Sequence, residues 1–392
     1  MSGKGPLHGA SIVCVGFADW ETENWTNQQH LMSRLARENR VLFIESLGLR
    51  RPTVSARDLR RMAGRLKRGL RPLSERDGVH VLSPLVIPFH GHGSIQRLNG
   101  FLLRRAVRKA ARRLGIEHPI LWGYVPQALA LVAPLQPSRV VYHCVDDIAA
   151  HARIDADAFA RAEKLFAARA DLVIASSPPL AERMRELADN VRLMPNVADT
   201  ELFATALEDG PIDPAMEALP RPRIVFVGAV SAVKVDLELL GELAELRPEW
   251  SIVLVGSVGL GDPGTDVSRL AAKANVHLLG HREPSELPVL LRGADAALIP
   301  YRLNRLTASI FPMKVYEYLA AGLPIVSTTL PSLAGVEEIS FAANAAETAV
   351  ALDELLASDN EDRRRSRSRA AAGHSWQARI TEIGQALGAG FN

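Results

Sequence analysis

The stretch FPMKVYEYLAAGLPIVST, Phe311 to Thr328, sets an ammonium at Lys314 and a carboxylate at Glu317 near the start of one short helix. Ser309 is placed to cap that helix, Pro312 suits its first turn, Gly322 suits the position past its end, and Pro324 stops it, which predicts about ten helical residues. A helix start carries unpaired amides and a partial positive charge, so together with Lys314 it can hold an anion. A carboxylate one turn on suits two neighbouring hydroxyls, such as those of a ribose. On a solvated face the same two residues would be an i, i+3 ion pair worth about 0.2–0.5 kcal/mol. A second cationic element, VGAVSAVKVDLELL, ends a strand at Gly228, carries Lys234 in the following loop and offers Asp236 as a helix N-cap. Glycine there permits close backbone approach, and lysine brings positive charge for a diphosphate. Neither stretch has the GxxxxGK[ST] spacing of a P-loop.

The first half holds acid–base candidates. RVVYHCVDDIAAH places Asp146 and Asp147 past a strand end, where a carboxylate either takes a proton from an acceptor hydroxyl or caps the next helix. His143, at the same strand end, is a weaker candidate for ligand contact. GFADWETENWT puts Gly16, Asp19, Trp20 and Trp25 in the first strand-end loop, for acceptor contact or for loop packing. The D-x-D of Asp155 to Asp157 lies in a helical stretch rather than after a strand, so no metal is expected there. GSVGLG, from Gly256, follows a strand but lacks the G-x-G-x-x-G spacing, and DPGTD follows it where a helix should, which speaks against nicotinamide binding.

These residues need strands that end at them. ASIVCVG and PRIVFVG are β-branched runs that stop at Gly16 and Gly228, each followed by a helical pattern, as at the start of a parallel sheet. After the first come a helix near Thr26 to Glu38, opened by a Thr26/Gln29 capping box, and the strands RVLFIES, VHVLSP, PILWGY, RVVYHC and DLVIASS. After the second come SIVLVG, NVHLLG, ADAALIPY and LPIVST, with helices such as DLELLGELAEL between strands. Strand alternating with helix predicts an α/β protein of two Rossmann-like, doubly wound parallel-sheet domains facing a central cleft, with ligands at the carboxyl ends of the strands. The expected domains are 1–204, 205–372 and a terminal helix over 373–392, for which crossing back to the first domain is one arrangement. LEDGPIDPAMEALPRPR reads as the linker.

Composition agrees with a chain of this size. At 392 residues, with 47% apolar and 23% charged side chains, it is long enough for two cores and is not disordered. The net charge is only +2, yet Arg50 to Arg71 and Arg97 to Arg113 are dense in Arg and Lys, with Asp58 as their one acid. Apolar residues at helical spacing among them would let these segments lie on anionic head groups, or simply form solvated helix faces. There is no signal-peptide pattern, and the most apolar stretch, PILWGYVPQALALVAPLQP, is broken by Pro126 and Pro134. A cytoplasmic protein is expected, with a peripheral place on the inner face of the plasma membrane as the reading that applies if the basic segments meet lipid. Cys14 and Cys144, the only cysteines, sit in strand-like runs and read as buried thiols.

VGAVSAVKVDLELL, GHREPSELPVLLRGADAALIPY and FPMKVYEYLAAGLPIVST, preceded by MPNVADTELF, together resemble glycosyltransferases of the GT-B fold, close to family four. The resemblance covers Asp171 to Thr328 strongly and the N-terminal half more loosely. It implies that Lys234 holds the donor diphosphate, that Glu317 is the second glutamate of the family's pair and binds the ribose, and that the backbone around Gly280, His281 and Arg282 meets the nucleobase. Tyr301, at the end of ALIPY, and Ser309 fall on the same donor side, and Pro195 and Asn196 match the motif that closes the first domain. Ser309 stands eight places before Glu317, where the family usually has its first glutamate, and Ala229 or Val230 replaces the frequent arginine. The S-x-x-P-x-K-x-x-E-Y pattern resembles the exopolysaccharide and teichuronic-acid branch, in which Lys314 would take over part of the anion binding. Tyr142 to Asp146 is similar to the stretch around the catalytic base of the xanthan glucuronosyltransferase, which would select Asp146.

The expectation is therefore a metal-independent, cofactor-free glycosyltransferase. It would move a sugar from a UDP- or GDP-sugar to a hydroxyl of a lipid-linked or polysaccharide acceptor in cell-surface glycan biosynthesis. Two rivals stand beside it: a nucleotide-sugar epimerase of the same fold, and a non-catalytic basic protein binding membrane or nucleic acid, though no nucleic-acid motif is evident.

Overall fold

A computed structural model describes residues 7–47, 72–85, 93–151 and 154–388. The basic stretch Arg50 to Arg71 lies outside the described residues. The chain forms two compact units: Met1–Pro195 with Arg379–Asn392, and Asn196–Ala378.

The first unit is built on an eight-stranded sheet in the order β3-β4-β2-β1-β5-β6-β7-β8. Its strands are β1 Ser11–Val15, β2 Arg40–Ile44, β3 Ser74–Arg76, β4 Val79–Leu82, β5 Ile120–Gly123, β6 Arg139–Cys144, β7 Leu172–Ala175 and β8 Val191–Leu193. All pairings are parallel except β3 with β4. That exception is a hairpin turned by Asp77 and Gly78, at φ 50 and 76, the Asp-Gly signature of a type I′ turn. Strand β1 and its neighbours are nearly all buried, as expected of strands covered on both faces. The unit's longer helices are α1 Asn27–Leu35, α2 Gly93–Arg113, α3 Ala156–Ala167 and α4 Pro178–Arg185. Helix α1 starts where its capping pair stands: Gln29 Oε1 accepts from the Thr26 N–H at 3.1 Å.

The second unit has six strands in the order β11-β10-β9-β12-β13-β14, all parallel. They are β9 Arg223–Val227, β10 Ser251–Val255, β11 Val276–Gly280, β12 Ala296–Ile299, β13 Ile325–Thr328 and β14 Ile339–Ala342. Counted from β9 this is the 3-2-1-4-5-6 winding, whose order reverses between β9 and β12 and leaves a ligand crevice at their carboxyl ends. Its helices include α5 Leu237–Leu246, α6 Lys314–Ala320, α7 Ala345–Ser358 and α8 Glu361–Ala371, and the last helix, α9, is Trp376–Ala386.

One expectation, the linker, is corrected here. The proline-rich segment after Leu207 is no linker but part of the second unit. Met216 is fully buried, Asp213 caps the turn Pro214–Glu217, and Arg292 donates to the carbonyls of Pro211 and Thr205 at 2.6 and 2.7 Å. The chain passes from the first unit to the second at Pro195/Asn196 and returns at Ala378/Arg379, inside α9. Proline and acid enrichment marks irregular backbone, and irregular backbone packs wherever apolar neighbours such as Met216 give it a core to join.

Candidate functional site

The second unit places its cationic residues at the reversal of strand order. A glycine with positive φ follows β9 and β10 and closes β11: Gly228 at 143, Gly256 at 142 and Gly280 at 69. The N–H of Gly228 donates to Val255 and that of Gly256 to Gly280, both at 2.7 Å, so the strand ends step across one another. A Cβ on Gly256 would stand 2.2 Å from the Gly228 carbonyl oxygen; a Cβ on Gly228 would stand 2.4 Å from Lys314 Cε. The lysine thus lies across the bare backbone of Gly228, with its ammonium 5.9 Å from the centroid of the Phe226 ring, within cation–π range.

Helix α6 differs from its expected form. It has seven residues, Met313 rather than Ser309 precedes it, and Ser309 closes a separate short turn, Thr307–Ser309. The N–H groups of Val315, Tyr316 and Glu317 are engaged with the carbonyls of Pro312 and Met313. These three amides are therefore not open to an anion, and the Lys314 ammonium is the positive charge at this helix start. The far end follows the expected pattern: Gly322 has φ 77, and the Leu323 N–H returns to the Tyr318 carbonyl at 2.9 Å. Two further bonds seat the helix. Buried Tyr318 accepts the Val227 N–H at 2.7 Å, and Asn196 Nδ2 donates to the Phe311 carbonyl at 2.8 Å. Glu317 is partly buried; burial pushes its carboxyl pKa up while Lys314 pulls it down.

Lys234 sits in a turn whose ends are pinned by buried Val230 and Val235, and Asp236 caps α5 through the Leu239 N–H as expected. At the end of β11, Arg282 folds back to donate to the Leu279 carbonyl at 2.8 Å, while His281 lies 3.4 Å from Glu283. Tyr301 is a core residue, packed edge-on to Phe226 with its carbonyl taken by the Thr328 hydroxyl. What sequence reasoning missed is the bracing: Tyr318 under β9, and the GSVGLGDPGT stretch along the Lys234 loop.

In the first unit the order reverses between β1 and β5. Gly16 lies there in close packing, since a Cβ would meet Phe43 at 2.3 Å. Trp20 is only 2% exposed, stacks edge-on with Phe43 and donates from its indole to Asp77 at 3.0 Å, so it is a packing residue rather than an acceptor contact. The carbonyl of Asp19 receives Gln29 Nε2 at 3.0 Å. His143 is 2% exposed and stacked on Tyr124 at 4.8 Å; burial, with Arg379 adding repulsion, pulls its pKa down to about 3, so it stays neutral. Asp147 is buried 3.9 Å from Arg183, whereas Asp146 keeps part of its surface. Beneath them Glu163, 2% exposed, accepts from Arg183 at 2.7 Å and from the Tyr142 hydroxyl. Asp155 caps α3, as its helical setting suggested. Cys14 and Cys144 are buried and unpaired. Helix α2 buries Leu103, Val107, Ala110 and Ala111 and turns Leu98, Phe101, Arg105, Arg108 and Arg112 outward. Among the described residues no helix is long and apolar enough to cross a membrane.

Two doubly wound parallel-sheet domains with such strand-end sites define the GT-B architecture of glycosyltransferases. Residues 221–358 match the model of the family described as glycosyl transferases group 1. The chain is similar to TuaH of Bacillus subtilis, a glycosyltransferase assigned by name to teichuronic acid biosynthesis, at 27% identity over 236 residues. That match spans 57% of this chain and 58% of the relative. Among solved structures, a sucrose-phosphate synthase from Thermosynechococcus elongatus superposes with TM-score 0.68 at 17% identity, covering 96% of this chain and 98% of the other. Anabaena HepE in complex with UDP superposes with TM-score 0.64 at 15% identity, covering 95% and 98%. At these identities the likeness to solved structures is one of fold.

Proposed function

We propose that the chain transfers a sugar from a nucleotide-sugar donor, a UDP- or GDP-sugar, to a hydroxyl of a lipid-linked or polysaccharide acceptor during synthesis of a cell-surface glycan. The observation that carries this reading is the Lys314 ammonium held across Gly228 with Glu317 one helical turn behind it, at the strand reversal of the second unit. In this reading Lys314 and Lys234 neutralise the leaving diphosphate as the sugar takes on oxocarbenium character, Glu317 accepts from the ribose hydroxyls, and the backbone of Gly280 to Arg282 meets the base. The two ammonium groups offset most of the diphosphate charge, which supports a metal-independent reaction. Solved HepE complexes contain UDP and UDP-glucose, which favours a uridine donor. On the first unit, Asp146 is the base if configuration inverts: it retains surface where Asp147 is committed to Arg183. The outward residues of α2 would rest on anionic lipid on the cytoplasmic side.

Isothermal titration with UDP, GDP and ADP, repeated on Lys314→Ala and Glu317→Gln, tests the reading. One nucleotide should saturate, with each change weakening it roughly tenfold or more. No binding by any nucleotide, or indifference to both changes, refutes it. Donor turnover without an acceptor would point to the epimerase instead.

A further inference from the structure

The stretch Gly256 to Thr265 follows β10 and has no catalytic side chain of its own, yet it is bonded along the loop that carries Lys234. The N–H of Val230 donates to Ser257 at 3.0 Å, and that of Gly259 to Val230 at 2.8 Å. Gly259, at φ 74, then turns the chain so that Asp262 faces the loop tip. Asp262 Oδ2 accepts from Thr265 Oγ1 at 2.9 Å, from the Val233 N–H at 3.2 Å and from Ser231 Oγ at 3.4 Å. Thr265 Oγ1 in turn accepts the Ala232 N–H at 3.0 Å. From the other side Asn304 Nδ2 donates to the Val233 carbonyl at 2.8 Å and the Arg302 N–H to the Lys234 carbonyl at 2.7 Å.

We propose that Asp262 is the positioning residue for Lys234. The loop ends, Val230 and Val235, are fixed by burial, whereas Val233 at the tip is 47% exposed and contributes no core. An exposed tip of small residues would sample many conformations, each carrying the lysine ammonium elsewhere, and a ligand would lose affinity by having to select one of them. One carboxylate gathering three donors removes that freedom before the ligand arrives. The inference rests on the reading that Lys234 meets the donor diphosphate.

The test is isothermal titration of the full chain with UDP, GDP and ADP, using wild type, Asp262→Ala, Asp262→Asn, Lys234→Ala and the Asp262→Ala/Lys234→Ala pair. Lys234→Ala and Asp262→Ala should each weaken the preferred nucleotide, the latter roughly tenfold. Asp262→Asn, whose amide oxygen can still accept, should restore most of the loss. In the Lys234→Ala background, Asp262→Ala should cost nothing more, because there is no ammonium left to place. If Lys234→Ala weakens binding and Asp262→Ala does not, or if the two losses add in full, the positioning role is overturned while the donor site stands. If no nucleotide binds, both fall; if Lys234→Ala is silent, the positioning role falls together with the contact of Lys234 to the diphosphate, while the Lys314/Glu317 site stands on its own test. Should Asp262→Ala fail to fold, Thr265→Val cuts one strut of the same brace and must weaken binding in the same coupled way.

Discussion

Acid should destabilise the first unit through His143 in a way that one substitution abolishes. The imidazole titrates near 6.5 in an unfolded chain and is pulled down to about 3 in the folded one by burial and by the Arg379 guanidinium. Between those values the unfolded state binds the extra proton, so stability is complete above about pH 6.5 and falls by about 1.4 kcal/mol per unit as the pH drops toward about 3. From about pH 7.5 to about pH 5 this one group should cost roughly 2 kcal/mol. His143→Phe keeps an aromatic ring on the Tyr124 face but cannot titrate. Cys14 and Cys144 both belong to the first unit and are buried, so pulsed thiol labelling across a urea gradient reports its opening. Wild type should lose about 2 kcal/mol more than His143→Phe over that pH interval. Equal losses would mean that His143 protonates freely in the folded protein and that its burial is overstated.

Three further outcomes follow from the same physics. The raised pKa of Glu317, caused by burial against the opposing pull of Lys314, means that nucleotide affinity should begin to fall above the usual carboxylate range as pH drops; calorimetry on Glu317→Gln should show that dependence flattened. Gly228→Ala should displace Lys314 and abolish nucleotide binding at a stability cost of about 1–3 kcal/mol, and Gly256→Ala should cost more, because its Cβ strikes backbone rather than a flexible side chain. Arg183→Met leaves the buried Glu163 carboxylate with the Tyr142 hydroxyl but without its cation, and urea unfolding should show a loss of about 2–3 kcal/mol. That is less than a fully buried pair would give, since the Arg183 side chain is 33% exposed.

Periodicity and punctuation made the strands readable: runs such as IVCVG, IVFVG and IVLVG, β-branched, short and stopped by glycine, read as buried parallel strands. The Lys314/Glu317 and Gly228/Lys234 elements were legible for the same reason, because residue type and loop position sit side by side in the chain. The helix start was not. Ser309 looks like a cap, but Ser332 donates to the Ile310 carbonyl and Asn196 to that of Phe311, holding the intervening backbone out of the helix from positions far away in sequence. The Asp77-Gly78 hairpin, by contrast, has a local signal in its Asp-Gly pair. Trp20 could not be assigned from its neighbours, because its partner Asp77 comes from that hairpin and its packing partner Phe43 from β2. Likewise Asp262 reads as part of a failed fingerprint until tertiary bonds reveal which loop it braces.

The two crossings, at Pro195/Asn196 and inside α9, make the second unit a single uninterrupted insert while the first is assembled from two separated pieces of chain. Residues 196–378 can therefore be excised with one start and one stop, whereas a first-unit fragment ending at Pro195 lacks Arg379, the cation beside His143. During synthesis the ribosome delivers that last piece only after the whole insert has emerged, so the first unit is the earlier to begin and the later to be finished.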